Sequence, residues 1–321
     1  MAAAGIALVF NWYSAAIDFL FSVIWFMYEV LLITPVERSN IKKMVDHIVR
    51  YCIAMGTALM IGAFLFLPAA LAMSDGKGNV EWIPILGIYG WGNIFSFIQR
   101  FELGSRSEYG SVSLYCGSLA VIGCIAYMLC KKIDRNKKIL HSILIVFVLS
   151  LFYIPVFVWG FSLLKVVGSY WYRYSYIGII TLIVIAAEFF SVKDQETNTR
   201  ALMWKATAVA VLVLFFMEYV KPLGKPFNVY MTVLAFIATM LFTDILFWTK
   251  RVSVKRIVIF LMAVTVSTEL VYNAKLIMTL DGGVEHFTQY AEDEMKLIGQ
   301  LQQQDGGFYR INQTSTRDVD G

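Results

Sequence analysis

An arginine ringed by aromatic residues is the first group in this chain whose chemistry stands out. In Gly168 to Phe190, GSYWYRYSYIGIITLIVIAAEFF, the residues Tyr170, Trp171, Tyr172, Tyr174 and Tyr176 surround Arg173, and an apolar run broken only by Thr181 follows to Ala187. A guanidinium is a planar, permanently charged fork that grips a phosphate bidentately, and rings beside it can stack on a sugar or line a lipid headgroup pocket. The same composition also makes a membrane anchor, because Trp and Tyr gather at headgroup depth with hydrocarbon-loving residues behind them. Arg173 is therefore expected at the level of lipid phosphates, as an anchor or as a ligand-binding group.

Polar side chains inside apolar runs form the second set. On a helical wheel starting at Asn11, Asp18 falls at about −20°, Ser22 at about 20° and Glu29 at about 0°, so one polar stripe runs along an otherwise lipid-compatible helix. An unpaired carboxylate at the depth of Asp18 is costly, so it must face the bundle or a wet cavity. It reads either as a structural hydrogen-bond acceptor or as a functional acid. Glu269, with Thr265 one turn before it and Tyr272 and Asn273 one turn after, offers the same two choices. Asp244, Glu188 and Glu218 lie near the ends of apolar runs and read as snorkelled surface groups.

Other chemistries are excluded. Cys52, Cys116, Cys124 and Cys130 have no CxxC or paired spacing and read as buried small hydrophobes. His47, His141 and His286 lie far apart, in or beside loops, so no metal site can be drawn from them. There is no P-loop, dinucleotide-binding glycine pattern or nucleophile elbow.

The elements that position these groups follow from hydropathy. The chain has 321 residues, 59% of them apolar and 16% charged, which no soluble domain can bury; the expected fold is an all-α, polytopic transmembrane helical bundle. Eight spans are expected, near Val9 to Ile33, Tyr51 to Met73, Ser111 to Cys130, Ser142 to Leu164, Tyr174 to Phe190, Ala201 to Val220, Phe227 to Trp248 and Ile257 to Leu280. Arg38, Lys42, Lys43 and Arg50 lie between the first two; Lys131, Lys132, Arg135, Lys137 and Lys138 follow the third. Lys193, Arg200 and Lys205 follow the fifth, and Lys250, Arg251, Lys255 and Arg256 the seventh. Short basic loops stay cytoplasmic, which sends the alternate loops and both termini outward. In the outer loop from Ser74 to Gly110, Ile94, Phe95, Ile98 and Phe101 recur at helical spacing, as in a helix lying on the membrane surface. Pro155 is expected to kink the fourth span. Residues 1–280 make the membrane domain; 281–321 open an extracytoplasmic domain, with an amphipathic helix from Val284 to Gln303 and the start of a strand at Phe308 to Gln313.

Taken in order, FNWYSAAIDFLFSVIWFMYE (Phe10 to Glu29), GSVSLYCGSLAVIG (Gly110 to Gly123), WYRYSYIGIITLI (Trp171 to Ile183), STELVYNA (Ser267 to Ala274) and DGGFYRIN (Asp305 to Asn312) resemble the YfhO family of bacterial membrane proteins. That family in turn is similar to the multi-span, polyprenyl-phosphate-sugar-dependent glycosyltransferases. The resemblance implies transfer of a sugar from a polyprenyl-phosphate donor to an envelope polymer such as teichoic acid, at the outer face of the bacterial cytoplasmic membrane. The partners it implies are membrane lipids, the lipid-linked sugar and the polymer acceptor, with no nucleic acid. It places the donor phosphate and headgroup at Trp171, Tyr172, Arg173 and Tyr174, and leaves Asn11, Asp18, Glu269 and Asn273 as intramembrane polar candidates. The acidic catalytic residue of such transferases lies in a first outer loop with no match here. The chain is thus expected to be a fragment lacking that residue, most of the outer domain and any site for a divalent cation, and inactive by itself. A transporter or flippase using Asp18 and Glu269, or a non-catalytic envelope assembly protein, are the competing readings.

Overall fold

In a membrane, apolar runs satisfy their own backbone only as helices or closed barrels. The computed structural model describes residues 11–32, 41–74, 96–108, 110–164, 171–191, 199–220, 226–280 and 284–304. Their regular structure is helical, with one isolated bridge between Glu108 and Ser111 and no strand among the described residues. The helices are α1 (Trp12–Leu32), α2 (Ile41–Ser74), α3 (Ser96–Gln99), α4 (Ser118–Leu129), α5 (Arg135–Tyr153), α6 (Pro155–Phe161), α7 (Ser175–Ser191), α8 (Thr199–Val220), α9 (Pro226–Trp248), α10 (Val252–Leu280) and α11 (Val284–Gln304). Six of them, α1, α2, α5, α8, α9 and α10, are long and apolar enough to cross a bilayer, and α4 and α7 are shorter apolar helices. The eight correspond in order to the eight expected spans.

Two of those spans are not continuous helices. Residues 111–117 run as irregular chain into α4, which has only 12 residues and about 18 Å of rise. Val112, Leu114, Tyr115 and Cys116 are buried, so this backbone lies inside protein, where irregular chain is tolerated at membrane depth. The helix starts where it does because Gly117 takes φ +88°, open to glycine and strained for other residues. The fourth span breaks outright at Ile154, instead of kinking: Ile154 is extended (φ −91°, ψ 120°) and Pro155 opens α6 as its first residue. Proline has no N–H, and its ring clashes with the carbonyl four residues back, so the first turn of a new helix suits it.

The bundle centres on α4, which packs against α7, α8 and α9; α5 joins α7 to α1, and α10 lies on α9. The approach of α4 to α7 is close enough that a Cβ at Gly123 would stand 2.8 Å from the Cβ of Ala186, the small-residue contact typical of membrane helices. One core cluster joins Ile17 and Tyr28 of α1 to Leu114, Phe152, Tyr174 and Ile177; the other joins Ile122 and Tyr127 of α4 to Phe189, Met203 and Phe236. Large apolar side chains such as Met60, Phe64, Leu212, Phe216, Phe260 and Val271 point outward, as lipid-facing residues do. Cys116, Cys124 and Cys130 are buried as expected, whereas Cys52 is exposed, because α2 touches the bundle along little of its length. The expected surface helix falls mostly outside the described residues, which include only its turn at α3, and the strand at Phe308 to Gln313 lies wholly outside them. The amphipathic helix after the last span forms as α11.

Candidate functional site

The aromatic-arginine segment divides by direction. Tyr172 takes φ +56°, in the left-handed region, and its carbonyl accepts from the Ser175 N–H at 2.8 Å, making the tight turn that starts α7. This turn sends Tyr172 and Tyr174 inward. Tyr174 is 1% exposed, stacks on Phe152 with ring centroids 5.2 Å apart, and donates its hydroxyl proton to the Leu151 carbonyl at 3.0 Å. Tyr172 packs edge-on to Phe152. Both are therefore core residues, and Trp171 is half-buried against the same core. Arg173 points the other way, is exposed, and holds its guanidinium carbon 5.5 Å above the ring of Tyr13, a cation–π contact.

In the first turn of α7, the Tyr176 hydroxyl donates to Asp18 at 2.6 Å. Asp18 is the upper edge of a groove of about 380 Å³ along α1, lined by Phe21, Ser22, Trp25, Phe26 and Glu29 and by Tyr51 of α2. The polar stripe read from the wheel thus borders one hollow, with apolar rings between the polar groups. Ser22 lies 2.7 Å from the Tyr51 hydroxyl, and Phe26 stacks on the Tyr51 ring. Asn11 is not part of the groove: its side-chain oxygen accepts from the Ser14 N–H at 3.2 Å and caps α1.

The loop between α3 and α4 is the second polar assembly. Arg100 ties it together, donating to the Ser111 hydroxyl at 3.2 Å, the Arg106 carbonyl at 3.0 Å and Glu108 at 2.6 Å. Two helices fasten it from outside: Thr232 of α9 accepts from the Leu103 N–H at 2.9 Å, and Asn273 of α10 accepts from the Gly104 N–H at 2.7 Å. Gly104, at φ +78°, lies so close to α10 that a Cβ would meet Leu276 at 3.1 Å. The two carboxylates of this loop have opposite electrostatics. Hydrogen bonding and charge from Arg100, joined by Arg106, hold Glu108 below the usual carboxylate range. Glu102 is 8% exposed, and burial, reinforced by the negative charge of Glu218, pushes its carboxyl up to about 7 against the smaller opposing effect of Arg100.

Glu269 sits below this loop, 6% exposed. It accepts from the Tyr115 hydroxyl, and at 2.7 Å from both the backbone N–H and the hydroxyl of Ser118, whose own oxygen is 2.6 Å from Thr239. Its carboxylate therefore fills the orphan-donor end of α4 inside the bundle.

One assembly has no counterpart in the sequence reading. His141 of α5 is 1% exposed rather than in or beside a loop; its Nε2 is 2.7 Å from the Tyr28 hydroxyl and 2.9 Å from Glu188, and its Nδ1 is 2.9 Å from both the Tyr127 hydroxyl and the Lys137 carbonyl. Glu188 is thus not a simple snorkelled group, since it also reaches Lys137 at 3.6 Å. Asp244 pairs in two-pronged fashion with Arg200. The i, i+4 spacing of Lys137 and His141 was the only local signal, because the other members come from three distant segments. Among the described residues no three His, Cys, Asp or Glu side chains are grouped to hold a metal ion.

A family model described as bacterial membrane protein YfhO matches residues 1–320. No curated protein and no solved structure matches the chain.

Proposed function

The chain belongs to the YfhO family of bacterial membrane proteins, and on that premise we propose that it is the membrane part of a glycosyltransferase-like protein. In this reading it takes a sugar from a polyprenyl-phosphate donor and passes it to an envelope polymer such as teichoic acid, at the outer face of the cytoplasmic membrane. The observation that carries the reading is the exposed Arg173 fork over Tyr13, beside the end of α1 from which the groove descends. A lipid phosphate needs a cation at headgroup depth, and a prenyl chain needs an apolar channel open toward the bilayer. Phe21, Trp25 and Phe26 supply that lining. Glu269 supports this reading over an ion-coupled transporter, because protein donors already occupy its carboxylate. Trp171 remains as a ring at the rim, while Tyr172 and Tyr174 serve by fixing the turn that aims Arg173 outward.

The test is direct binding of polyprenyl phosphate to the detergent-solubilised chain, with the uncharged polyprenol as control. Losing a charge-assisted hydrogen bond removes about 1.5–3 kcal/mol, so Arg173→Ala is expected to weaken polyprenyl phosphate roughly 10- to 100-fold without lowering thermal stability. Equal affinity for the variant, or equal affinity for polyprenol, defeats the assignment.

A further inference from the structure

We infer that the groove along α1 selects lipid phosphates by their chain: it seats a single chain, reads about the first five isoprene units, and disfavours two-chain phospholipids. The inference rests on the donor reading above and adds what that reading lacks. Phospholipids bring phosphates to the same headgroup depth as a prenyl phosphate, so a guanidinium there does not by itself pick out a scarce one. Selection has to come from what lies behind the phosphate.

Two rungs between α1 and α7 place the groove there. Arg173 sits over Tyr13, and three residues later Tyr176 donates to Asp18 at the groove's edge. Asp18 lies five residues beyond Tyr13, about 7.5 Å along the helix, and Glu29 at the far end lies sixteen beyond it, about 24 Å. An isoprene unit advances four carbon–carbon bonds, about 4–5 Å once their angles are allowed for. The run from Tyr13 to Glu29 therefore matches about five units, the first one or two bridging to the groove and the rest lying in it.

The groove is one chain wide. Its 380 Å³ spread over the roughly 16 Å from Asp18 to Glu29 leaves a mean section of about 24 Å², or about 5 Å across, which suits one hydrocarbon chain at van der Waals contact. Tyr51 fixes that width from the α2 side: its hydroxyl is 2.7 Å from Ser22, and its ring stacks on Phe26 with centroids 4.4 Å apart. Ser22 in turn donates to the Phe19 carbonyl at 2.7 Å, so the two hydroxyls are engaged with each other and with the backbone. Between its acidic ends the groove thus offers a ligand mainly the rings of Phe21, Trp25, Phe26 and Tyr51. A chain already dissolved in lipid gains nothing from leaving water, so its gain here is ring packing, which needs a close fit. The second chain of a diacyl lipid starts beside the first and meets the Tyr51 wall.

The test uses the full chain in phosphatidylcholine nanodiscs, with affinities taken from displacement of a fluorescent farnesyl phosphate and expressed as mole fraction of bilayer lipid, so that partitioning cancels. The competitors are geranyl, farnesyl, geranylgeranyl, solanesyl and undecaprenyl phosphates, farnesol, dioleoyl phosphatidic acid and its one-chain lyso form. Each step from geranyl to geranylgeranyl phosphate is expected to tighten binding roughly two- to tenfold, whereas solanesyl and undecaprenyl phosphates should agree within about twofold. Phosphatidic acid should bind at least about tenfold more weakly than geranylgeranyl phosphate, and the lyso form more tightly than phosphatidic acid. Trp25→Ala, which removes a ring, and Ser22→Trp, which plugs the groove, should both flatten the length series, with thermal melting reporting whether each has folded. A wild-type series that is flat, or that keeps rising to undecaprenyl phosphate, overturns the inference while preference for farnesyl phosphate over farnesol leaves the donor reading standing; so does phosphatidic acid binding as tightly as geranylgeranyl phosphate. Farnesol binding as tightly as farnesyl phosphate overturns the donor reading, and failure of every prenyl phosphate to bind overturns both.

Discussion

The hydroxyl of Tyr174 donates to the carbonyl of Leu151 at 3.0 Å, and that carbonyl is the one Pro155 leaves without its helical donor. The break at Ile154 and the aromatic turn before α7 are thus two halves of one contact. Tyr174 owes its burial to this task, and Arg173, next to it in sequence, is turned outward by the same geometry.

Tyr174→Phe keeps the ring stack and removes only the donor. An unsatisfied buried carbonyl costs about 1–3 kcal/mol, so the melting temperature in detergent should fall, and polyprenyl phosphate affinity should fall with it as the turn that aims Arg173 loosens. Pro155→Ala supplies a backbone N–H for Leu151. The loss caused by Tyr174→Phe should therefore be smaller in a Pro155→Ala background, and equal losses in both backgrounds would show that the two groups are not coupled.

Glu269 makes a graded prediction. Glu269→Ala strips the acceptor from Tyr115 and from both donors of Ser118, and is expected to destabilise the chain by about 3 kcal/mol or more. Glu269→Gln keeps one oxygen for the Ser118 N–H and should cost less, about 1–2 kcal/mol. Hydrogen exchange at the first amides of α4 reads this out, with protection falling from wild type to Gln to Ala. A group serving only ion coupling would leave those amides equally protected in all three proteins.

The parts of this molecule that sequence makes legible are those governed by period and hydropathy. Asp18, Ser22 and Glu29 share a face because a helix repeats every 3.6 residues, and they border one groove for that reason. Six of the eight apolar segments form helices of the length needed to cross hydrocarbon, and the other two form shorter apolar helices. What hydropathy cannot distinguish is an apolar helix from an apolar segment buried in extended form, so residues 111–117 read as the start of a span. Nor does a tyrosine announce a positive φ, so the inward turn of Tyr172 and Tyr174 is invisible until the backbone is seen. The His141 assembly draws Tyr28, Tyr127 and Glu188 from three other helices, and long-range convergence leaves no local pattern. The raised proton affinity of Glu102 falls in the same class, since it arises from burial and from the charge of Glu218 on α8, far away in sequence.

The raised proton affinity of Glu102 predicts how stability depends on pH. Its carboxyl titrates near 7 in the folded chain and near 4.5 when unfolded, so between those values the folded state binds the proton more strongly. The Glu102 contribution to stability should therefore be largest below about 4.5, fall as pH rises toward 7, and stay level above it. A displacement of this size corresponds to a change on the order of 3 kcal/mol. Glu108 works in the opposite direction, because its ion pairs are lost only when pH drops below the ordinary carboxylate range, so the two windows do not overlap. Melting of wild type and Glu102→Gln in detergent from pH 4.5 to 8 isolates the effect. The variant should gain on wild type steadily up to pH of about 7 and hold that advantage beyond; a difference independent of pH would mean that the folded chain does not raise the proton affinity of Glu102.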